Sequence, residues 1–130
     1  MNITSVMQGN NQLAKTADDY VKLLASNADW IARTKEDFAA LRQTGKGPLS
    51  KLTDTDFTAF VDGLEYKHGG VAHGSYKPLM SALTMGEIFQ VFGYIGLDRH
   101  YAFDTVDYAC AQDACTAWGH SFCTKACLLE

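Results

Sequence analysis

All four cysteines of this chain, Cys110, Cys115, Cys123 and Cys127, fall within its last 21 residues, and the preceding 109 contain none. Whatever the cysteines do, they do at one end of the molecule. Their spacing, Cys-x4-Cys-x7-Cys-x3-Cys, lacks the two-residue gaps that form metal knuckles, so it does not read as a zinc ribbon. Three uses remain open. As an antiparallel helical hairpin turning at Gly119-His120, the segment would be stapled by nested bridges, Cys110–Cys127 and Cys115–Cys123, one of three pairings that four cysteines allow. As a ligand set, the four cysteines with His120 would hold a soft metal such as Zn²⁺ or Cu⁺. As a substrate, the segment would receive its chemistry from another enzyme.

The first residues, Met1 to Gln12, have neither a basic start nor an apolar run, so they do not form a standard secretory signal. The expectation is cytoplasmic synthesis. In that compartment thiols stay reduced, and clustered cysteines are more often ligands, redox groups or modification substrates than staples.

The rest of the chain is ordinary globular sequence. It has 130 residues, 47% of them hydrophobic and 20% charged, enough for one core that needs neither metal nor disulfide to fold. The net charge is −4 and no basic patch is interleaved with aromatics, which disfavours nucleic acid as a partner. The longest greasy stretch, Ile88 to Leu97, is interrupted by Gln90, Gly93 and Gly96. It is about half the roughly 20 apolar residues a membrane span needs, so no span is expected.

The periodicity reads as helix throughout. Apolar residues recur at Leu13, Ala17, Tyr20, Leu24, Ile31, Phe38 and Leu41, one helical face between Asn11 and Thr44, with Ser26-Asn27 as a break. Gly45-Lys46-Gly47-Pro48 is a linker. Leu52-Thr53-x-x-Asp56-Phe57 and Leu83-Thr84-x-x-Glu87-Ile88 are two helix starts with a capping residue and a hydrophobic staple. Gly69-Gly70 ends the first of these helices as a left-handed cap, and the stretch to Ser75 is a loop. Pro78 suits a short turn, and Asp98 is the N-cap of a last helix running towards Ala117. No strand alternation stands out. The expected fold is all-α, a small bundle of four to six helices, with a helical domain over 1–97 and a Cys-rich helix or hairpin over 98–130.

No motif names an enzyme, and the expectation is a non-enzymatic protein. His68 and His73 flank a glycine loop, but two ligands are too few for a protein zinc site. No Gly-x-Ser-x-Gly elbow or phosphate-binding glycine loop is present.

From Asp98 onward, four cysteines stand beside four hydroxyl residues, Thr105, Thr116, Ser121 and Thr124. A thioether ring joins one cysteine to one dehydrated Ser or Thr, so the stoichiometry matches. In this layout the chain resembles precursors of ribosomally synthesised, post-translationally modified peptides, lanthipeptide-like ones and double-glycine bacteriocins in particular. Those precursors carry a cysteine-free leader and a cysteine-rich core. Gly69-Gly70 looks like their double-glycine cleavage site, and Leu64 stands where such leaders often carry an apolar residue; Lys67 departs from the pattern. The resemblance implies a precursor whose helical N-terminal region docks a modifying enzyme. It further implies a peptidase or exporter as a second partner, release of the processed product from the cell, and no cofactor. The alternative is a small helical structural or interaction protein whose C-terminal cysteines form disulfides or bind a soft metal.

Overall fold

Four of the helices start at a threonine, and each does so by the same local chemistry. The hydroxyl oxygens of Thr16, Thr34, Thr53 and Thr84 accept from the backbone N–H three residues on, at Asp19, Asp37, Asp56 and Glu87. At Thr34 and Thr84 the acidic side chain also accepts from the cap's own N–H, closing a capping box. The computed structural model describes residues 1–8, 12–112 and 114–129. Within them the helices are α1 (Ile3–Gln8), α2 (Ala17–Ala25), α3 (Lys35–Gln43), α4 (Asp54–Asp62), α5 (Met85–Ile95) and α6 (Arg99–Thr105). The stripe expected between Asn11 and Thr44 is broken at Ser26, as read, and continues beyond a loop as α3. Asn11 itself lies outside the described residues.

The fold is not all-α. Four strands, β1 (Glu65–Lys67), β2 (Gly70–Ser75), β3 (Val106–Ala111) and β4 (Ala114–Cys123), form one antiparallel sheet in the order β1-β2-β4-β3. The all-α expectation of four to six helices with a Cys-rich helix or hairpin failed for a physical reason. β2 reads Gly-Val-Ala-His-Gly-Ser, and its two glycines look like loop. Yet both are demanded by packing: a Cβ on Gly70 would collide with Leu24 Cδ2, and one on Gly74 with Leu64 Cδ2. Glycine inside a strand marks such a close approach.

Gly69-Gly70 is therefore not a helix cap. α4 ends at Asp62 with Gly63 as its cap. His68 and Gly69, at φ 55° and 81°, are the two turn residues between β1 and β2, where Lys67 pairs Gly70. Positive φ at both central positions is the turn whose twist suits a tight hairpin. Arg33 fixes this turn to the helical layer. Its guanidinium donates to the carbonyls of Leu23, Leu24, Ser26 and Ala28 at the end of α2, and to Gly69 O at 3.0 Å.

The expected last helix stops early. α6 is capped by Asp98 as read, but it ends at Thr105, and the chain leaves it as β3. The hairpin of the tail is made of strands, not helices, and Gly119-His120 is not its turn. Ala111 pairs Ala114 at the tip, while His120, at φ 60°, lies in an irregularity where Val106 pairs Phe122 but Tyr108 pairs Ala117. Asp107 Oδ1 holds that irregularity by accepting from His120 N–H at 3.2 Å and from Tyr76 O–H at 2.8 Å.

The tail belongs to the core. β4 pairs β2 through His73–Cys123, Gly74–Phe122 and Ser75–Ser121. Phe122 is fully buried, edge-on to Phe92 of α5 with centroids 4.9 Å apart. Ala126 and Cys127 are buried in the same cluster as Tyr20, Phe38 and Ile95. A buried phenylalanine of this kind contributes about 2 kcal/mol by area alone. Ending the chain after Leu97 removes it and uncovers β2. That truncated chain is expected to lose cooperative thermal unfolding by circular dichroism; a sharp transition near that of the full protein would show that residues 1–97 hold their own core.

Candidate functional site

The cysteines meet where β3, β4 and the chain beyond β4 converge. Cys110 and Cys115 face each other across the β3–β4 ladder, yet they are not bonded to one another. Cys110 joins Cys127 and Cys115 joins Cys123, with Cα–Cα separations of 5.8 and 5.7 Å. The bridges are nested: the outer one ties β3 to the turn beyond β4, and the inner one joins Cys115 near the start of β4 to Cys123 at its buried end. Cys123 and Cys127 are buried, while Cys110 and Cys115 are half-buried.

Local chemistry places Cys127 where it can be reached. After β4 the chain makes a short 3-10 turn, Lys125–Leu128, capped by Thr124. The Thr124 hydroxyl accepts from Ala126 N–H at 3.2 Å and donates to Val71 O at 2.8 Å, and Thr124 N–H donates to Ala72 O at 2.8 Å. Lys125 N–H donates to the Tyr101 hydroxyl at 2.8 Å. Tyr20 O–H donates to the same Val71 carbonyl at 3.1 Å. Burial keeps both phenols protonated, Tyr101 pushed up to about 12 and Tyr20 higher still. The turn carrying Cys127 is thus clamped onto β2 and α6 by buried hydrogen bonds.

The remaining residues singled out by sequence are scattered through this framework. Thr105 is buried and donates to Ala102 O at 2.7 Å, ending α6. Ser121 is buried in the β2–β4 ladder, and Thr116 is exposed on the ribbon. The ring of His120 packs edge-on to Tyr76, with centroids 6.0 Å apart. Among the described residues, the sulfurs within 4.8 Å of one another are those of Cys110, Cys123 and Cys127. All four sulfurs are in disulfides, and a disulfide sulfur is no thiolate, so the set does not fit Zn²⁺ or Cu⁺ in this state. Gly70, the second residue of the glycine pair, is buried against α2.

Sequence reasoning missed the surface of the ribbon. Trp118 is 66% exposed and Tyr108 43% exposed. Toward the tip, from Ala117 to Ala114, β4 has β3 as its only strand partner among the described residues. The signal was present as two aromatics within a few residues of three cysteines. It is legible only once the segment is known to be a hairpin. Comparison with family models, curated proteins and solved structures returns no match to this chain.

A disulfide closing a loop of this size contributes about 2–4 kcal/mol, chiefly by restricting the unfolded chain. The outer bridge spans 17 residues and the inner one 8, so the outer should contribute the larger share. Replacing Cys110 and Cys127 together by serine is expected to lower stability in urea by about 3 kcal/mol. An unchanged midpoint would show that the bridge does not hold the tail.

Proposed function

We propose that this protein is a non-enzymatic interaction module that presents a disulfide-stapled hairpin to a protein partner in an oxidising compartment. One observation carries the reading: a large aromatic, Trp118, stands mostly exposed on a ribbon that two nested bridges tie to the core. An exposed tryptophan on a rigid support is a typical anchor for a partner's apolar pocket, because little side-chain freedom is lost on binding. Tyr108 is a second exposed aromatic of the ribbon, on β3 and paired with Ala117, the residue before Trp118. The bridges support an oxidising setting, since ordinary disulfides are not kept closed in a reducing cytosol.

The precursor reading is less well supported. It asks the hydroxyls and thiols of the tail to reach the active site of a modifying enzyme. In the fold Thr105, Ser121 and Thr124 are buried, and Thr105 and Thr124 are committed to hydrogen bonds that organise α6 and the last turn. Gly69-Gly70 as a cleavage site would require opening the β1–β2 turn that Arg33 holds. The stapled module uses all four cysteines and needs no such opening.

A photo-reactive tryptophan analogue at position 118 tests the proposal in extracts of the producing cells and their surroundings. A discrete crosslinked partner is expected from the oxidised protein, competed away by excess unlabelled protein but not by excess Trp118→Ala, lost on reduction, and retained when the labelled protein also carries Phe103→Ala, at an exposed aromatic on α6. Crosslinks that survive reduction and appear equally with Phe103 labelled would mean that the ribbon is not the contact.

A further inference from the structure

The two bridges are close neighbours. The sulfurs of Cys110, Cys123 and Cys127 lie within 4.8 Å of one another, although Cys123 is bonded to neither of the others. The fourth sulfur belongs to the same place. Cys115 Sγ is 3.8 Å and Cys123 Sγ 3.9 Å from one carbonyl oxygen, that of Thr124, which also accepts from Cys127 N–H at 3.1 Å. The sulfurs come from three elements: Cys110 from β3, Cys115 and Cys123 from opposite ends of β4, and Cys127 from the turn beyond it.

Four thiolates bound to Zn²⁺ at about 2.3 Å in a tetrahedron stand roughly 3.8 Å apart. The spread of the three sulfurs is already near that spacing. The three-residue gap between Cys123 and Cys127 also falls within the range that structural zinc sites use. The frame that places the cysteines is largely independent of the bridges. The β3–β4 ladder sets Cys110 opposite Cys115. Hydrogen bonds from Thr124 to Val71 and Ala72, and from Lys125 N–H to Tyr101, hold the turn that carries Cys127.

We propose that this cluster, once reduced, is a tetrathiolate site for one Zn²⁺, held by Cys110, Cys115, Cys123 and Cys127, and that closure of the bridges expels the ion. The inference goes beyond the displayed ribbon and concerns the chain with its bridges open. His120 is outside the set, its ring packed edge-on to Tyr76. A water-soluble phosphine opens the bridges: each phosphorus takes an oxygen from water and becomes a phosphine oxide, and each bridge takes up two hydrogens as two thiols. Zn²⁺ then replaces the four thiol protons and forms four Zn–S bonds. The return step is thiol–disulfide exchange. Two molecules of a low-molecular-weight disulfide, such as oxidised glutathione, accept four electrons and leave as four thiolates. The two protein bridges form and Zn²⁺ enters solution.

Co²⁺, a coloured stand-in for Zn²⁺, is titrated anaerobically into the full-length protein reduced with a phosphine, with far-ultraviolet circular dichroism recorded alongside. Saturation at one equivalent is expected, with the visible bands of tetrahedral cobalt and a thiolate charge-transfer band, both erased by Zn²⁺. The oxidised protein should show neither band. Oxidised glutathione should release the zinc to a chromogenic chelator as the bridges close. Cys110→Ser and Cys127→Ser should each weaken binding by at least about tenfold, while His120→Ala leaves it unchanged. In concentrated urea the same reduced chain should bind at least about tenfold more weakly, because only the fold assembles the site. Equal affinity with and without urea overturns the proposal, and a reduced chain that has lost its fold gives that same result. Absence of tetrahedral cobalt at one equivalent, or loss of binding in His120→Ala, overturns it as well.

Discussion

Three residue pairs between β2 and the end of β4 hold the two halves of this chain together. β2 is buried along its first five positions except for half-exposed His73, and its carbonyls at Val71 and Ala72 receive the chain that follows β4. If that pairing is lost, Val71 and Ala72 face solvent, Phe122 leaves Phe92, and the turn carrying Cys127 loses its support. The disulfides are consequences of this docking as much as causes. They bring together sulfurs that the strand ladder and the Thr124-capped turn have already placed within reach.

Compactness on the helical side depends on two polar devices. The threonine caps give each of four helices a defined start without tertiary help. Arg33 then links the end of α2 to the tip of the β1–β2 hairpin through backbone carbonyls. A half-buried guanidinium that satisfies several carbonyls at once removes the cost of leaving those acceptors unpaired at a helix end.

What was legible in the sequence follows from which signals are local. Thr53, Thr84 and Asp98 announced their helices because capping is decided within four residues. Ser26 and Pro78 marked a stop and a turn for the same reason. The strands were not legible, because nothing local demands them. Gly70 and Gly74 mimic loop composition, and their reason lies in Leu24 and Leu64, far away in the chain. The ribbon of β3 and β4 buries little on either face near its tip, so it shows no apolar alternation. The nested pairing Cys110–Cys127 and Cys115–Cys123 was one of the open possibilities, attached to the wrong secondary structure. Trp118 as a displayed side chain needed the hairpin to be known first.

The central claim is that the cysteine-rich tail is an oxidised, structural part of one fold. Peptide mapping of the protein from its natural producer, digested under non-reducing conditions and analysed by mass spectrometry, tests this most directly. The expected result is peptides linked Cys110–Cys127 and Cys115–Cys123, an intact mass lower by two hydrogens for each bridge, and thiols that alkylate only after reduction. Water losses at Thr105, Thr116, Ser121 or Thr124 with cysteines resistant to reduction, or four cysteines freely alkylated without reductant, would contradict it.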